Sequence, residues 1–243
     1  MDKDRVFKEQ TQKASDFKFG TAVANVFDDM VNRSVPYYGE MQRMIAELAA
    51  DHAKTGTKVY DLGCATGTTL IGMNTSISED IEFIGIDDSP EMLAKCKIKL
   101  EESGFKRPYA LRVGDLNQSI DMPNASVAIL CLTLQFIRPI NRAKVLKSIF
   151  SGLNSGGVLI LVEKILAEDS GFNRDFINYY YNYKRRNEYS EMEISQKREA
   201  LENILVPYKL SENIELLLET GFAYCEVFFK WYNFVGLIAV KKQ

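Results

Sequence analysis

Apolar residues along the chain fall into short continuous runs that alternate with longer stretches of helical spacing. The runs predict strands at 58–62, 82–86, 110–113, 126–134 and 157–163, followed by a hairpin of Tyr224–Trp231 and Phe234–Val240. The spaced stretches predict helices at 21–30, 41–50, 68–74, 142–153 and 210–221, and Ser89 with Pro90 starts another. Runs that are apolar throughout are typical of strands covered on both faces. We therefore expect an α/β fold with a doubly wound, mainly parallel, seven-stranded sheet and an antiparallel edge strand.

Two segments of the chain stand outside this alternation. Residues 1–50 combine a polar arm with N-terminal helices, and a proline-containing bend at 33–39 is placed to cover a pocket. Residues 168–207 follow the fifth strand, a position in α/β folds that lies near the carboxyl ends of the strands, where ligands bind. We expect one domain, 1–243, in which residues 1–50 act as a lid and 168–207 form a helical insertion.

Composition narrows the class of protein. A hydrophobic content of 46% with 26% charged residues is ordinary for a soluble globular protein. The net charge of −3 gives no general attraction to phosphate backbones, so direct nucleic-acid binding is not required. No run reaches the ~20 apolar residues of a membrane span, and the polar N-terminus is not a signal peptide. We expect a cytoplasmic protein with no membrane contact.

The cysteines and the single histidine do not indicate a metal site or a nucleophilic mechanism. The four cysteines lack the short paired spacing of metal or redox motifs, which favours buried free thiols. His52 lies in a polar segment where a surface position at a helix end is expected. We expect no metal.

The strongest chemical signal is segment 59–67, in which an apolar strand ends in an acidic residue and a glycine turn. Gly63 and Gly67 allow the backbone to approach a ligand that a Cβ would block. Asp87 ends the next strand, about 24 residues beyond Gly63, where a carboxylate can accept hydrogen bonds from a ribose diol. Asp115 follows the third strand and is placed to accept from an adenine amino group. The pattern D-L-G-x-x-x-G at 61–67, followed by G-I-D at 85–87, resembles the S-adenosyl-L-methionine-binding half of class I methyltransferases, and the G-x-G-x-x-G pattern of dinucleotide sites is absent. This resemblance implies a Rossmann-like domain for S-adenosyl-L-methionine.

Each of these residues also has a structural interpretation that the sequence leaves open. Gly63 and Gly67 could serve the turn alone, Asp87 could be a charge at the helix N-terminus near Ser89, and Asp115 could be a turn residue.

Arg198 is the most informative residue of the insertion. Ser190 and Glu193 form a capping box that starts a helix, and Arg198 falls between Ile194 and Leu201 on its apolar face. A buried arginine requires an anion or several acceptors. The alternatives are a stem packed on the stripe with its head in solvent, or a structural ion pair.

Segment 179–186 of the insertion interleaves tyrosines with basic residues. Such a segment could stack nucleic-acid bases, or it could be a helix with aromatic core contacts and a solvated basic end. The negative net charge favours the second interpretation.

Motifs along nearly the whole chain support a more specific interpretation. They are VFDDM at 26–30, RSVP at 33–36, VYDLGC at 59–64, AS at 125–126, TLQF at 133–136, YSE at 189–191, ISQKR at 194–198, LEN at 201–203 and NF at 233–234. With these motifs the chain resembles the carboxy-S-adenosyl-L-methionine synthases, bacterial enzymes of tRNA wobble-uridine (U34) modification in the class I methyltransferase superfamily.

The resemblance implies a set of residues that bind S-adenosyl-L-methionine as substrate and carboxy-S-adenosyl-L-methionine as product. They are Tyr38, Gly63, Cys64, Ala65, Gly67, Asp87, Asp88, Asp115, Leu116, Cys131 and Arg198. Arg198 is also the implied catalytic residue, because a guanidinium beside the transferable methyl group opposes the positive sulfonium unless a carboxylate is present. Asp88 and Cys131 depart from the family, which has Asn at both positions, so contacts there are expected to rely on backbone.

The resemblance also implies a reaction and its partners. Prephenate would supply the carboxyl group and leave as phenylpyruvate, so the enzyme would be a one-carbon transferase that moves a carboxyl group, and it would be a homodimer. Two alternatives remain open at this point. The chain could be an ordinary S-adenosylmethionine-dependent methyltransferase acting on a small acid or tRNA, or a non-catalytic module that binds a nucleoside ligand.

Overall fold

The fold is built on one sheet with helices on both faces. A computed structural model describes residues 3–8, 17–77, 80–118 and 120–242. Its strands are β1 (Lys58–Leu62), β2 (Glu82–Asp87), β3 (Tyr109–Val113), β4 (Ala125–Cys131), β5 (Leu153–Leu166), β6 (Tyr208–Lys209), β7 (Tyr224–Trp231) and β8 (Phe234–Val240). The order is β3-β2-β1-β4-β5-β8-β7, and the two-residue β6 pairs with β5. β7 and β8 run antiparallel, and the strands from β3 to β5 are parallel, as the sequence pattern predicts.

The helices flank this sheet and extend into the insertion. Their bounds are α1 (Thr21–Ser34), α2 (Tyr38–His52), α3 (Thr68–Met73), α4 (Pro90–Glu102), α5 (Pro139–Gly152), α6 (Ser170–Arg186), α7 (Glu191–Leu201) and α8 (Leu210–Thr220). The predicted start of α4 is confirmed, since Ser89 Oγ accepts the Met92 amide at 3.1 Å. The capping box of α7 is confirmed too, with both Ser190 and Glu193 side chains bonded to backbone.

Burial on both sheet faces explains the continuous apolar runs. In β4, Val127 and Ile129 pack on one face with α2, α3 and α4, while Ala128 and Leu130 pack on the other with α5 and α8. All four side chains are fully buried. This packing holds the carboxyl ends of β1, β2, β4 and β5 at a common edge, where the chain builds its site.

Several predicted boundaries were wrong, and the structure gives the reasons. α1 continues through Arg33 and Ser34, because Ser34 Oγ bonds back to the Met30 carbonyl at 2.5 Å, so the bend is confined to residues 35–37. β4 ends at Cys131 rather than 134, because Leu132 adopts a left-handed conformation with φ 59°. The residues that follow form a 3-10 turn, Leu134–Phe136.

The N-terminal arm is described only in part, since residues 1, 2 and 9–16 lie outside the described residues. Phe17 donates its amide to the Ala200 carbonyl of α7 at 3.2 Å, and its ring stands 5.0 Å from that of Phe19. Phe19 in turn packs edge-on against Phe136, at 5.3 Å. These contacts place residues 17–19 against the insertion and the strand-end loops.

Candidate functional site

A cavity of about 400 Å³ lies at the carboxyl ends of the parallel strands. Its floor is formed by residues at the ends of β1, β2, β4 and β5, among them Gly63, Asp87, Cys131 and Lys164. Helices α1, α6 and α7, the start of α2, the aromatic rings of Phe17 and Phe19 and the turn after β4 contribute further wall. This volume lies in the range of small-molecule and cofactor sites.

The structure brings together all but one of the residues proposed from the sequence. The cavity lining includes Tyr38, Gly63, Cys64, Ala65, Asp87, Asp88, Asp115, Leu116, Cys131 and Arg198. Gly67 is the exception. It adopts φ 79° before α3, and a Cβ there would lie 2.6 Å from Cys96 Sγ, so the structure gives Gly67 a turn and packing role.

Gly63 is required by the close approach of two loops. Its φ is 79°, and a Cβ would lie 2.5 Å from the Thr133 side chain in the loop after β4. Its amide and that of Cys64 both donate to the Ile86 carbonyl, at 2.7 and 3.1 Å. The turn after β1 is therefore fixed to the end of β2, with its backbone against the cavity.

Asp87 combines the binding position and the structural role that the sequence left open. Its Oδ2 accepts the Ala65 amide at 2.9 Å and its Oδ1 accepts the Ser89 amide at 3.0 Å. The side chain is 8% exposed and lines the cavity. Burial raises the pKa of Asp87, and the two amide donors oppose this rise. Two amides use about half of the lone pairs of a carboxylate, so acceptor capacity remains for a ligand.

Asp88 and Asp115 occupy the exposed rim of the same end of the cavity. Asp115 Oδ1 accepts the Asn117 amide at 2.8 Å and its side-chain Nδ2 at 3.0 Å, which is the turn role considered from the sequence. These bonds lower the pKa of Asp115, whereas partial burial and the Asp115 charge raise that of Asp88. Three carboxyl groups thus mark the β2 and β3 end of the cavity.

Asp28 of α1 does not line the cavity, but it is a positioning residue that sequence reasoning missed. Its Oδ1 accepts the Thr66 hydroxyl at 2.6 Å, and its Oδ2 lies 2.7 Å from Lys99 Nζ of α4. These contacts fasten α1 to the glycine turn, so that Phe27 and Met30 reach the cavity. The VFDDM motif at 26–30 contains Asp28, but nothing in its spacing indicates the contacts with Thr66 and Lys99.

Cys131 forms part of the cavity wall as a neutral thiol. Gln42 Nε2 donates to its Sγ at 3.5 Å, and the nearby Tyr38 ring lines the same wall. Burial and the carboxyl groups of Asp61 and Glu163 raise the pKa of Cys131. A thiol held protonated in this way is a poor nucleophile.

The sequence pattern places Arg198 on the apolar face of α7 and leaves open whether its head is buried or in solvent. In the structure Arg198 is exposed and its neighbour Lys197 takes the buried position. Lys197 is 7% exposed and Ile194 is 4% exposed, whereas Arg198 is exposed. Both residues line the cavity, so Arg198 lies at its rim and Lys197 in its wall. The apolar stripe was correctly located to within one residue, and one position on a helix is about 100° of rotation.

Two further lysines, which the sequence analysis did not single out, line the cavity. Lys164, near the end of β5, and Lys184, on α6, lie with Nζ 4.9 and 4.6 Å from the centroid of the Tyr180 ring. Lys184 is 5% exposed. Burial lowers the pKa of Lys164 to about 8, and burial with repulsion from Lys197 and Lys164 lowers that of Lys184. The β5 side of the cavity is therefore basic.

The tyrosines of α6 make the contacts of a packed helix. Tyr180 is 8% exposed and packs against Phe234 at 5.3 Å, while Tyr183 packs against Trp231 at 5.6 Å. At the basic end Arg185 pairs with Glu191. These contacts match the second interpretation of segment 179–186.

Within the described residues, no group of three or more His, Cys, Asp and Glu side chains could hold a metal ion. His52 ends α2 and is not among the residues that line the cavity. The helices described are all too short or too polar to cross a membrane.

Comparisons with known proteins agree with this geometry. The profile of a methyltransferase domain family matches residues 53–201. The chain is 54% identical to a carboxy-S-adenosyl-L-methionine synthase of Methylococcus capsulatus over 99% of this chain and 100% of that protein. It is 43% identical to one of Desulfotalea psychrophila, over 99% and 98%. The structure superposes with a TM-score of 0.70 on an O-methyltransferase family protein of Burkholderia thailandensis, at 14% identity over 96% of this chain and 66% of that one.

Proposed function

The chain belongs to the carboxy-S-adenosyl-L-methionine synthase family, and we propose that it makes carboxy-S-adenosyl-L-methionine and phenylpyruvate from S-adenosyl-L-methionine and prephenate. One observation carries this proposal: the cavity is acidic at its β2 and β3 end and basic at its β5 end. The acidic end holds Asp87, Asp88 and Asp115, and the basic end holds three lysines and Arg198. A basic wall is unfavourable for a sulfonium alone and suits a second substrate that is an anion.

The acidic end is proposed to hold the nucleoside. Asp87 accepts hydrogen bonds from the ribose hydroxyls, while Asp115 and Leu116 border the adenine. The backbone of Gly63, Cys64 and Ala65 approaches the amino-acid part of the ligand, and Tyr38 and Cys131 close the far wall. Support comes from the position of these residues around one cavity.

The proposed chemistry begins from the acidity of the methyl group on a sulfonium. Prephenate becomes aromatic when it loses carbon dioxide and its ring hydroxyl as hydroxide, which leaves phenylpyruvate. The hydroxide removes a proton from the sulfonium methyl group, giving water and an ylide carbon. The ylide carbon forms a bond to the carbon dioxide and yields the carboxymethyl sulfonium.

In this scheme the protein acts mainly through orientation, electrostatics and exclusion of water. No side chain is required as a general base, which suits a chain with a single histidine outside the cavity lining. Arg198 binds the new carboxylate with a charge-assisted hydrogen-bonded pair, so it is complementary to the product. An exposed guanidinium at the rim can move to meet that group.

The two alternatives differ from this proposal in what they require of the cavity. An ordinary methyltransferase transfers the methyl group as an electrophile and gains nothing from buried cations beside it. A binding module would hold the nucleoside but turn over no prephenate. Neither alternative explains the basic end.

Mixing the purified protein with S-adenosyl-L-methionine and prephenate tests the proposal. We expect stoichiometric formation of phenylpyruvate and carboxy-S-adenosyl-L-methionine, followed by absorbance and mass spectrometry. Mass spectrometry of small molecules that copurify with the protein gives an independent measurement. Methyl transfer to an acceptor without phenylpyruvate would support the ordinary methyltransferase instead.

Family membership also supports a proposal for the wider role. We infer a cytoplasmic homodimer whose product supplies the modification of wobble uridine in tRNA, with residues 1–50 as a lid on the cavity. Light scattering of the purified protein tests the dimer. Deletion of the gene, with analysis of the U34 nucleoside in tRNA, tests whether the product is used for this modification.

A further inference from the structure

Three lysines from three separate elements meet at one wall of the cavity. Lys164 comes from β5, Lys184 from α6 and Lys197 from α7. Lys184 and Lys197 are only 5% and 7% exposed. Lysine is rarely buried this far unless its charge is paired.

Within the protein these ammonium groups are poorly compensated. Among the described residues, neither Lys164 nor Lys184 makes a side-chain hydrogen bond or an ion pair, and both lie near the face or edge of Tyr180. Lys197 Nζ is buried without a hydrogen-bond partner there, and its nearest carboxylate oxygen, Asp4 Oδ2, stands 4.0 Å away. A single long ion pair and one aromatic ring do not replace the hydration of three ammonium groups.

Asp4, the carboxylate nearest to Lys197, already accepts a hydrogen bond from another residue. Asp4 Oδ2 accepts the Tyr189 hydroxyl at 2.6 Å, and the guanidinium of Arg33 lies 4.1 Å from the same ring. Arg33 adds to the positive potential at Lys197. When all three lysines are protonated they outnumber Asp4, so this wall carries a surplus of positive charge.

This surplus of positive charge lies away from the end of the cavity that is proposed to hold the nucleoside. Three strand spacings separate the tip of β2, with Asp87, from the tip of β5, with Lys164, a distance of roughly 14 Å. That distance leaves room for the ligand sulfonium above β1 and β4, between the acids and the lysines. A second substrate at the lysines would therefore sit beside the sulfonium rather than beside the adenine.

We propose that Lys164, Lys184 and Lys197 form a subsite for an organic dianion that carries a carboxylate and a carboxylate-bearing side chain on a six-membered ring. Two carboxylates neutralise the surplus charge, and Tyr180, whose ring both Lys164 and Lys184 approach, adds an aromatic side chain to the same wall. Arg198 stays available at the rim for the carboxylate of the product. This inference rests on the proposed function and assigns the residues that recognise its second substrate.

Equilibrium binding tests the subsite without turnover. The probes are 1-(carboxymethyl)cyclohexane-1-carboxylate, an unreactive dianion with both carboxylate-bearing groups on one ring carbon as in prephenate, and cyclohexanecarboxylate, the corresponding monoanion. Each is titrated into protein saturated with S-adenosyl-L-methionine. We expect the wild type to bind the dianion about tenfold more tightly than the monoanion. Lys164→Met and Lys184→Met should each abolish that preference while changing the affinity for S-adenosyl-L-methionine less than about threefold.

Two further readouts separate substrate recognition from a structural role. Lys164→Arg keeps the charge and should retain dianion binding, whereas Lys144→Met, an exposed lysine of α5, is the matched control and should behave as wild type. The ligand-free Met variants should unfold at the same temperature as wild type or higher, because they remove a poorly paired cation that is buried at Lys184 and half-buried at Lys164. A structural lysine would instead lower the unfolding temperature.

The outcomes for subsite and function are distinguishable. If the wild type binds the dianion but makes no phenylpyruvate from prephenate, the proposed function fails and the subsite stands. If phenylpyruvate forms and both Met variants keep the wild-type KM for prephenate, the subsite is wrong. Equal affinity of the wild type for dianion and monoanion would also overturn it.

Discussion

Lys197 and Arg198 are consecutive residues of α7 that both line the cavity, yet Lys197 is buried and Arg198 is exposed. This difference in burial suits the two positive side chains to different functions. A buried ammonium in a fixed wall acts on any ligand that enters, whereas a rim guanidinium can turn towards a group that forms during the reaction. Substitutions at the two positions should therefore have different effects.

Replacing Arg198 with Ala should selectively weaken binding of the carboxylated ligand. We expect a loss of about tenfold to a hundredfold for carboxy-S-adenosyl-L-methionine, the range of a charge-assisted hydrogen bond, and a much smaller loss for S-adenosyl-L-methionine. Calorimetry with both ligands measures the difference, and Arg174→Ala, an exposed arginine of α6, is the control. Equal losses for the two ligands would contradict the assignment of Arg198 to the carboxylate.

Replacing Asp87 with Ala should weaken both ligands alike and also destabilise the protein. Both carry the same ribose, and the change also removes the acceptor of the Ala65 and Ser89 amides. We expect each affinity to fall about tenfold to a hundredfold, together with a lower thermal midpoint. Asp88→Ala, at the exposed rim, should lower the ligand affinities and the thermal midpoint by less. Unchanged affinity in Asp87→Ala with reduced stability would leave Asp87 only its structural role.

Replacing Cys131 with Asn should leave turnover within about tenfold, because the thiol has no covalent role in the proposed scheme. Its pKa is raised by burial, so thiolate chemistry near neutral pH is unfavourable. Steady-state rates of phenylpyruvate formation make the comparison. Loss of all turnover in a folded Cys131→Ala protein would show that thiol chemistry had been overlooked.

Much of the nucleoside end could be predicted from the sequence because its residues follow strand ends. Parallel strands present their carboxyl ends at one edge, so Gly63, Asp87 and Asp115 are brought together by topology alone. The hairpin of β7 and β8 could be predicted for a similar reason, since its two apolar runs are adjacent in the chain. In both cases the local pattern and the fold agree.

The basic end could not be predicted, because its residues meet only in three dimensions. Lys164 looks like a polar residue that ends a strand, and Lys184 like part of a solvated basic stretch. Which of Lys197 and Arg198 turns inwards depends on how α7 sits against the N-terminal arm, where Phe17 bonds to the Ala200 carbonyl. Helical periodicity locates the buried face of a helix only to within one residue. Lys197 and Arg198 are adjacent, so the periodicity alone does not predict which of the two is buried.

The lysines also predict how catalysis depends on pH. Burial lowers the pKa of Lys164 and of Lys197 to about 8, with Asp4 opposing and Arg33 adding to the shift at Lys197. Above that pH both ammonium groups lose their charge, so kcat/KM for prephenate should fall by up to about a hundredfold per unit, while the prephenate carboxylates stay ionised. Lys164→Arg should make the fall shallower, because a guanidinium stays protonated and only Lys197 still loses its charge in that range. An identical profile in this variant would exclude Lys164 as the titrating group.

Asp61 predicts a separate dependence of stability on pH in the ligand-free protein. Its carboxyl group is 1% exposed, and neither oxygen has a hydrogen-bond partner among the described residues. Burial and the nearby Asp87 raise its pKa to about 7, against about 3.9 in the unfolded chain. Between these values the unfolded chain has released the proton and the folded one has kept it, so this group lowers stability as pH rises through that window.

Replacing Asp61 with Asn should remove this loss of stability. The amide has a similar shape and no charge, so any cost of burying it is the same at every pH. The free energy of unfolding of Asp61→Asn minus that of wild type should therefore rise by about 3 kcal/mol from pH 5 to pH 8, at 1.36 kcal/mol per unit of pKa shift. Urea unfolding at both pH values measures it, and Asp88→Asn, at the exposed rim, should show a much smaller rise. A difference that stays constant with pH would place the pKa of Asp61 near its ordinary value and indicate that water reaches the carboxyl group.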